Sequence, residues 1–424
     1  MKRIGNIFER VIDPENLRLA FMKASRGKRH RDDQRSFERN LESELWRLRE
    51  GLIKGDYPIG NYRRFMIYDP KEREICAASF GERVLHHALM NVCEPYFESW
   101  LVPSTYACRI GKGQLAAVKR SQLYARRNRW FMKCDFRKYF DSIPHDGIRK
   151  MITRKFKDRD VVDWLCRILD SYEKTPDKGL PIGNLTSQHF ANLYLDRLDR
   201  HPVLKGLDFV RYMDDFVVWT NDKSRLLDLR RELTQFCRDE LGLEFKQIPF
   251  INRTDKGMDF LGLRVFPSAI RLNRASRVRY ARRLSHYERM FAEGAIDDQE
   301  LQGRVTALTA FIEQADTLGW RRHHLATRKE HRATTASTVA AVGTTTLATA
   351  ARRIATGTTP ATATTTWASA SVAPQHRRII ESYQTVPAGG RFPQGTNSNW
   401  SDCPVGSAEP LADSQLRPFF TGGI

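Results

Sequence analysis

The 424-residue chain is poor in paired cysteine, in long apolar runs and in acidic residues. Its seven cysteines, at 76, 93, 108, 134, 166, 237 and 403, are scattered, and no two form a CxxC pair. That excludes a disulfide framework and the usual zinc spacings, and it fits a reducing cytoplasm. No apolar stretch approaches the ~18 residues of a membrane span, and the segment after Met1 lacks an apolar signal core. The expectation is a cytoplasmic protein without a membrane partner. Acidic residues number 50 against 70 Lys and Arg, for a net charge of +20. A polyanionic partner follows, nucleic acid first. Hydrophobic residues make up 41%, enough for a core and too many for a wholly disordered chain.

Organisation is uneven along the chain. Residues 1–60 read as helical, with Phe37, Leu41, Leu45 and Trp46 on one stripe. Strands are expected from Tyr62 to about Arg83, turning at Asp69-Pro70, and helix from Val84 to Trp100. Trp130–Asp135 reads as strand, Val161–Leu169 as helix, Phe209–Trp219 as a hairpin, and Phe260–Phe266 as another strand. Residues 270 to about 331 are basic and helical, with Arg277, Arg279, Arg282, Arg283 and Arg289 among Val278, Tyr280, Leu284, Tyr287, Met290 and Phe291. Such interleaving gives one core face and one face for phosphates. From Ala333 to Ile380 no acidic residue occurs and Ala and Thr dominate, a low-complexity composition.

Two segments carry chemistry. In Phe209-Val210-Arg211-Tyr212-Met213-Asp214-Asp215-Phe216-Val217-Val218-Trp219, two adjacent carboxylates interrupt an apolar run. Like charges placed together in apolar surroundings need a cation, and Mg²⁺ prefers hard oxygen ligands. In Phe131–Ile143, Asp135 ends an apolar strand. From there it can complete a two-metal site with the hairpin.

These residues resemble a reverse transcriptase. Tyr212-Met213-Asp214-Asp215 is similar to that family's catalytic palm hairpin, and Asp135 to its first catalytic aspartate. In the same order, Pro70–Ile75 resembles the fingers hairpin, Gly179–Gln188 the segment packing on template and nucleotide, and Asp259–Gly262 the primer-gripping strand. The match runs over roughly residues 20–330. The resemblance implies an α+β, right-hand polymerase: N-terminal helices to residue 60, fingers 61–130, palm 131–266 with inserted fingers elements, helical thumb 267–332. The segment 333–424 has no counterpart. It reads either as a disordered tail or as an out-of-frame product. Shifted by one base, suitable codons for Thr366–Ser371 can spell Met-Gly-Phe-Arg-Val, similar to the end of the variable proteins served by diversity-generating retroelements.

Residue roles implied by the resemblance are as follows. Asp135, Asp214 and Asp215, with the Phe136 backbone, hold two Mg²⁺, for which Mn²⁺ can substitute. Asp215 is the less direct ligand. Lys71 and Arg73 pair with the dNTP triphosphate, and backbone amides around Lys138 and Tyr139 meet it. Phe140 gates against the ribose 2′-hydroxyl, and Ile182 and Gly183 border the nucleotide. Ser187, Gln188, Tyr212, Met213, Phe260, Leu261 and Gly262 meet primer and template RNA. Lys246 is a weaker candidate for donating a proton to pyrophosphate. Relatives encoded in introns or retroviruses generally carry Gln where Ile182 stands, and intron-type enzymes have Ser-Pro where Ser187-Gln188 stands. The Ile182-Gly183…Ser187-Gln188 form resembles the diversity-generating branch, which copies template RNA into cDNA, errs at adenines, and works with a small basic accessory protein. The alternatives are a group II intron-like or other bacterial enzyme, and an RNA-binding protein on an inactive polymerase fold. Arg321-Arg322-His323-His324 reads as a solvated helix end rather than a metal cluster.

Overall fold

The computed structural model describes residues 3–29, 31–68, 72–321 and 323. Lys71, Arg322, His324, Cys403 and the whole 333–424 segment therefore lie outside the described residues. The described chain divides into two compact units, residues 3–261 with 265–268, and residues 262–264 with 269–323.

The first unit is built around a four-stranded antiparallel sheet, in the order Asp208–Tyr212, Asp215–Thr220, Trp130–Cys134, Phe250–Arg253. Phe131, Met132, Cys134, Phe216, Val217, Val218 and Trp219 on the two middle strands are all buried. Near-continuous apolar runs of this kind belong to strands covered on both faces. Helix Lys223–Asp239 presents Leu226, Leu229, Leu233 and Cys237 to the interior at helical spacing. Its first turn is capped by Asp222, whose carboxylate accepts from the Ser224 amide at 2.8 Å. From helix Gln114–Arg127, the Tyr124 ring lies 5.6 Å from Trp219.

The N-terminal region is helical as expected, but in several pieces. Asn40 separates Asp32–Arg39 from Leu41–Lys54, so the stripe 37, 41, 45, 46 belongs to two helices. Phe37 and Leu45 are buried, whereas Trp46 is 64% exposed. The Phe21, Phe37 and Phe80 rings pack edge and face within about 6 Å of one another, tying this region to the long helix Phe80–Trp100. Trp164 donates its indole N–H to the Leu52 carbonyl at 3.0 Å. Strands Arg63–Ile67 and Arg73–Ala77 pair antiparallel as a separate ribbon.

The expected strand 260–266 is two strands, Met258–Phe260 and Leu263–Val265. Leu261 at φ +50° and Gly262 at φ +80° break it. Two successive left-handed residues cannot continue an extended chain.

The second unit carries helices Arg274–Ala292 and Asp298–Ile312. Tyr280 and Leu284 from the first and Leu301, Val305, Leu308 and Ile312 from the second are buried, and Trp320 lies 5.5 Å from Tyr280. Val278 is 60% exposed, so the apolar face is narrower than the sequence suggests. Arg277, Arg282 and Arg289 are exposed. Arg321 pairs with Glu313 at 3.0 Å.

Candidate polymerase active site

Strand register places the acidic residues. Cys134 pairs with Phe216 across the two middle strands, so the next residue, Asp135, emerges beside Asp215. Tyr212 pairs with Asp215, leaving Met213 and Asp214 as a two-residue turn. Met213 holds φ +55°, a left-handed conformation that costs a non-glycine residue roughly 1–2 kcal/mol. Asp214 is held at the tip of the hairpin. Burial and the charges of Asp215 and then Asp135 push its carboxyl up to about 7, while Arg73 opposes them. Three carboxylates are thus close enough to repel one another, and a divalent cation would relieve that repulsion. The donor set is all oxygen, which suits Mg²⁺ or Mn²⁺.

Among the described residues, no three His, Cys, Asp or Glu side chains are grouped so that, as they stand, they could hold a metal ion. Two of the three acids face lysines instead. Lys133 Nζ lies 3.2 Å from Asp215 Oδ1, and Lys246 Nζ lies 4.0 Å from Asp135 Oδ2. The Lys246 amide also donates to the Asp135 carbonyl at 2.8 Å. Lys246, expected only as a weaker proton-donor candidate, therefore stands at the acids. Lys133, two residues before Asp135 on the same strand, was not anticipated. A lone cation in an otherwise apolar strand was the available signal.

The ribbon brings a third cation. Burial lowers the Arg73 guanidinium, while Asp214 raises it, so Arg73 is coupled to the turn. The ribbon is held to the expected nucleotide segment by main chain, with the Cys76 amide donating to the Ile182 carbonyl at 2.9 Å. Gly183 has φ +119°, and a Cβ there would stand 3.0 Å from Ile75 Cγ2. Only glycine fits both constraints.

Lys138 is exposed and left-handed at φ +44°, opening the short helix Tyr139–Ser142. The Tyr139 side chain belongs to the interior, donating to the Ala191 carbonyl at 2.5 Å. Burial holds its phenol well above the usual range. Phe136 is buried, its ring 4.9 Å from Phe245. Phe140 is 6% exposed and belongs to the core.

The expected primer and template residues divide. Ser187, Met213, Phe260 and Leu261 have buried side chains, so in this conformation they support the surface rather than form it. Apolar side chains follow the core, and Ser187 lies on the inner face of helix Leu185–Tyr194. Gln188 and Tyr212 are partly exposed. The Gln188 carbonyl oxygen accepts from Cys108 Sγ at 3.3 Å.

Comparison with known proteins agrees with this geometry. Residues 69–265, just under half of the chain, match the family model "Reverse transcriptase (RNA-dependent DNA polymerase)". Protein YkfC of Escherichia coli (strain K12) is 22% identical over 325 residues, 64% of this chain and 80% of that protein. Group II intron-encoded protein LtrA of Lactococcus lactis subsp. cremoris is 24% identical over 180 residues, 40% of this chain and 30% of LtrA. The chain spans less than a third of the length of the intron-encoded relatives it matches. Among solved structures, apo telomerase from Candida Tropicalis aligns at TM-score 0.42 and 12% identity, covering 51% of this chain and 49% of that one. The fold class is the expected α+β class, with antiparallel sheets beside helices. Residues 69–265 form a reverse transcriptase domain, and it has group II intron-encoded homologues at low identity.

Proposed function

We propose that the chain is an RNA-directed DNA polymerase that copies an RNA template into cDNA from dNTPs. The observation that carries this reading is the meeting of Asp135, Asp214 and Asp215 at one end of the antiparallel sheet, with Arg73 coupled to Asp214. When bound at these acids, two Mg²⁺ ions would activate the primer 3′-hydroxyl and steady the pyrophosphate leaving group. Asp214, at the tip, and Asp135, from the neighbouring strand, would be direct ligands. Asp215, paired with Lys133, would be the less direct one. Arg73 would hold triphosphate oxygens in its planar fork, as Arg suits phosphate. Lys246, 4.0 Å from Asp135, would stand where a proton is delivered to the leaving group. The exposed Arg277, Arg282 and Arg289 would follow the phosphates of the primer–template. On this reading residues 61–130 are fingers, 131–266 palm and 267–332 thumb. The division of the chain between 261 and 269 supports the last boundary.

Within the family, Ile182-Gly183 and Ser187-Gln188 favour the diversity-generating branch. Ile182 presents an apolar side chain where an amide could constrain a base, so one hydrogen-bonded check is lost. A small basic accessory protein and adenine-directed errors belong to this branch. The group II intron-like reading rests on the similarity to LtrA over 180 residues. Copying of a defined RNA template, followed by sequencing of the cDNA, separates the two readings. Errors concentrated opposite template adenines, and reduced by Ile182→Gln, support the diversity-generating branch. Uniform errors in both proteins would favour the intron-like branch.

No helix among the described residues is long and apolar enough to cross a membrane.

A further inference from the structure

Beside the acids lies a fully buried arginine whose five N–H donors are all taken. Arg211, 0% exposed, stands on strand Asp208–Tyr212 directly before the Tyr212–Asp215 turn. Its Nε donates to Asp199 Oδ1 at 2.8 Å, and Nη2 to Asp199 Oδ2 at 2.6 Å. Nη2 also donates to the Asn192 carbonyl at 2.9 Å. Nη1 donates to Asn192 Oδ1 at 2.8 Å and to the Met213 carbonyl at 3.1 Å. The acceptors are braced in turn. The Thr105 hydroxyl donates to Asp199 Oδ2 at 3.0 Å, and the Asn192 amide to the Ala107 carbonyl at 2.8 Å.

We infer that Arg211 is a positioning residue for the catalytic turn, fastening the Met213 carbonyl so that Asp214 is presented to metal in one orientation. The inference rests on the polymerase reading above. It follows from three facts together. Met213 is left-handed without being glycine, a conformation that persists only where its surroundings over-determine it. The Met213 carbonyl is the peptide oxygen immediately before Asp214, so a hydrogen bond there limits how that peptide can rotate. The fork that makes the bond is itself fixed by Asp199 and by Asn192, the latter on the helix Leu185–Tyr194 that carries Ser187 and Gln188. Template-side helix and metal-side turn thus share one guanidinium. Lysine, with a single nitrogen and no planar fork, cannot reach all of these acceptors.

The test uses the full chain and compares it with Arg211→Lys and Asn192→Ala. Single-turnover dNTP addition is followed against Mg²⁺ concentration and normalised to the active fraction from burst amplitude. Primer–template affinity and thermal midpoint are measured alongside. In Arg211→Lys the maximal rate should fall tenfold or more, and half-saturating Mg²⁺ should rise several-fold. Hybrid affinity should stay within about twofold. Asn192→Ala, which keeps the Arg211–Asp199 pair, should show the same Mg²⁺ shift at about threefold, and it carries the test if Arg211→Lys does not fold. A lower thermal midpoint with unchanged half-saturating Mg²⁺ in the folded variants would make Arg211 a stability residue only and overturn the inference. No extension by the unaltered chain would overturn the polymerase reading, and this inference with it.

Discussion

Lys133 Nζ stands 3.2 Å from Asp215 Oδ1 and donates to the Asp259 carbonyl at 3.0 Å. Its ammonium also lies 6.0 Å from the centre of the Phe260 ring. One side chain therefore links a candidate metal ligand to the expected primer-gripping segment. Both members of the ion pair are about three-quarters buried, so the pair is less screened than an exposed one.

The cation beside Asp215 competes with a divalent ion for the same oxygens. Lys133→Met should therefore lower the Mg²⁺ concentration needed for half-maximal primer extension, by roughly twofold to fivefold. It should also shorten products, because the Asp259 carbonyl loses its donor. A Mg²⁺ titration with product lengths on a gel reads both. An unchanged midpoint would show that Lys133 is displaced without cost.

Gly183 governs where the Arg73-bearing ribbon sits. An added methyl would meet Ile75 Cγ2 at 3.0 Å, in a backbone conformation that L residues rarely adopt. Gly183→Ala should raise the KM for dNTP at least tenfold with a smaller change in kcat. Steady-state kinetics in varied dNTP decide it. A loss confined to kcat would detach Arg73 from nucleotide binding.

Phe140 faces two demands. At 6% exposure its replacement by Ala should cost about 3–5 kcal/mol of stability. As a gate, it should also admit ribonucleotides, with the rNTP-to-dNTP incorporation ratio rising tenfold or more. Denaturant melts and single-nucleotide incorporation separate the effects. A destabilised variant with an unchanged ratio would assign the ring to packing alone.

Burial holds the His189 and His87 imidazoles down at about 4, with nearby Lys28 and Lys23 adding to the effect at His87. Both are neutral in the folded chain, whereas in the unfolded chain they bind protons near pH 6.5. The unfolded state therefore takes up more protons as pH falls from about 6.5 to 4, and stability is lost across that window. Each residue should contribute about 1 kcal/mol per pH unit there. His189→Gln should flatten the decline in thermal midpoint between pH 7 and 5. An identical slope in variant and parent would mean that His189 is not held neutral.

Much of the site was legible because chemistry interrupts pattern there. Asp214 and Asp215 stand out in an apolar hairpin, and Asp135 stands out at a strand end. Pairing register then brings them together without further information. What escaped was set by tertiary contact. Arg211 reads as one more basic residue until Asp199 and Asn192 surround it. Lys133 gains its meaning from a partner 82 residues away. Trp46 looked like core on a continuous helical stripe, but its helix buries Leu45, Leu48 and Leu52, and Trp46, two residues before Leu48, falls on the opposite side. Phe260 to Phe266 looked like one strand because apolar pattern does not reveal left-handed backbone at Leu261. The buried Ser187 and Met213 show a further limit. A motif marks a neighbourhood, and only packing decides which of its side chains face the substrate.

The most direct measurement is extension of a DNA primer on an RNA template by the full chain, with dNTPs and Mg²⁺, beside an Asp214→Asn/Asp215→Asn double variant. The unaltered chain should make template-directed cDNA, and synthesis should stop on chelation of the metal. The double variant should lose at least a thousandfold in rate and still bind the RNA–DNA hybrid with near-normal affinity. Extension by the double variant at the parental rate would contradict the assignment of these two carboxylates, and with it the proposed polymerase site.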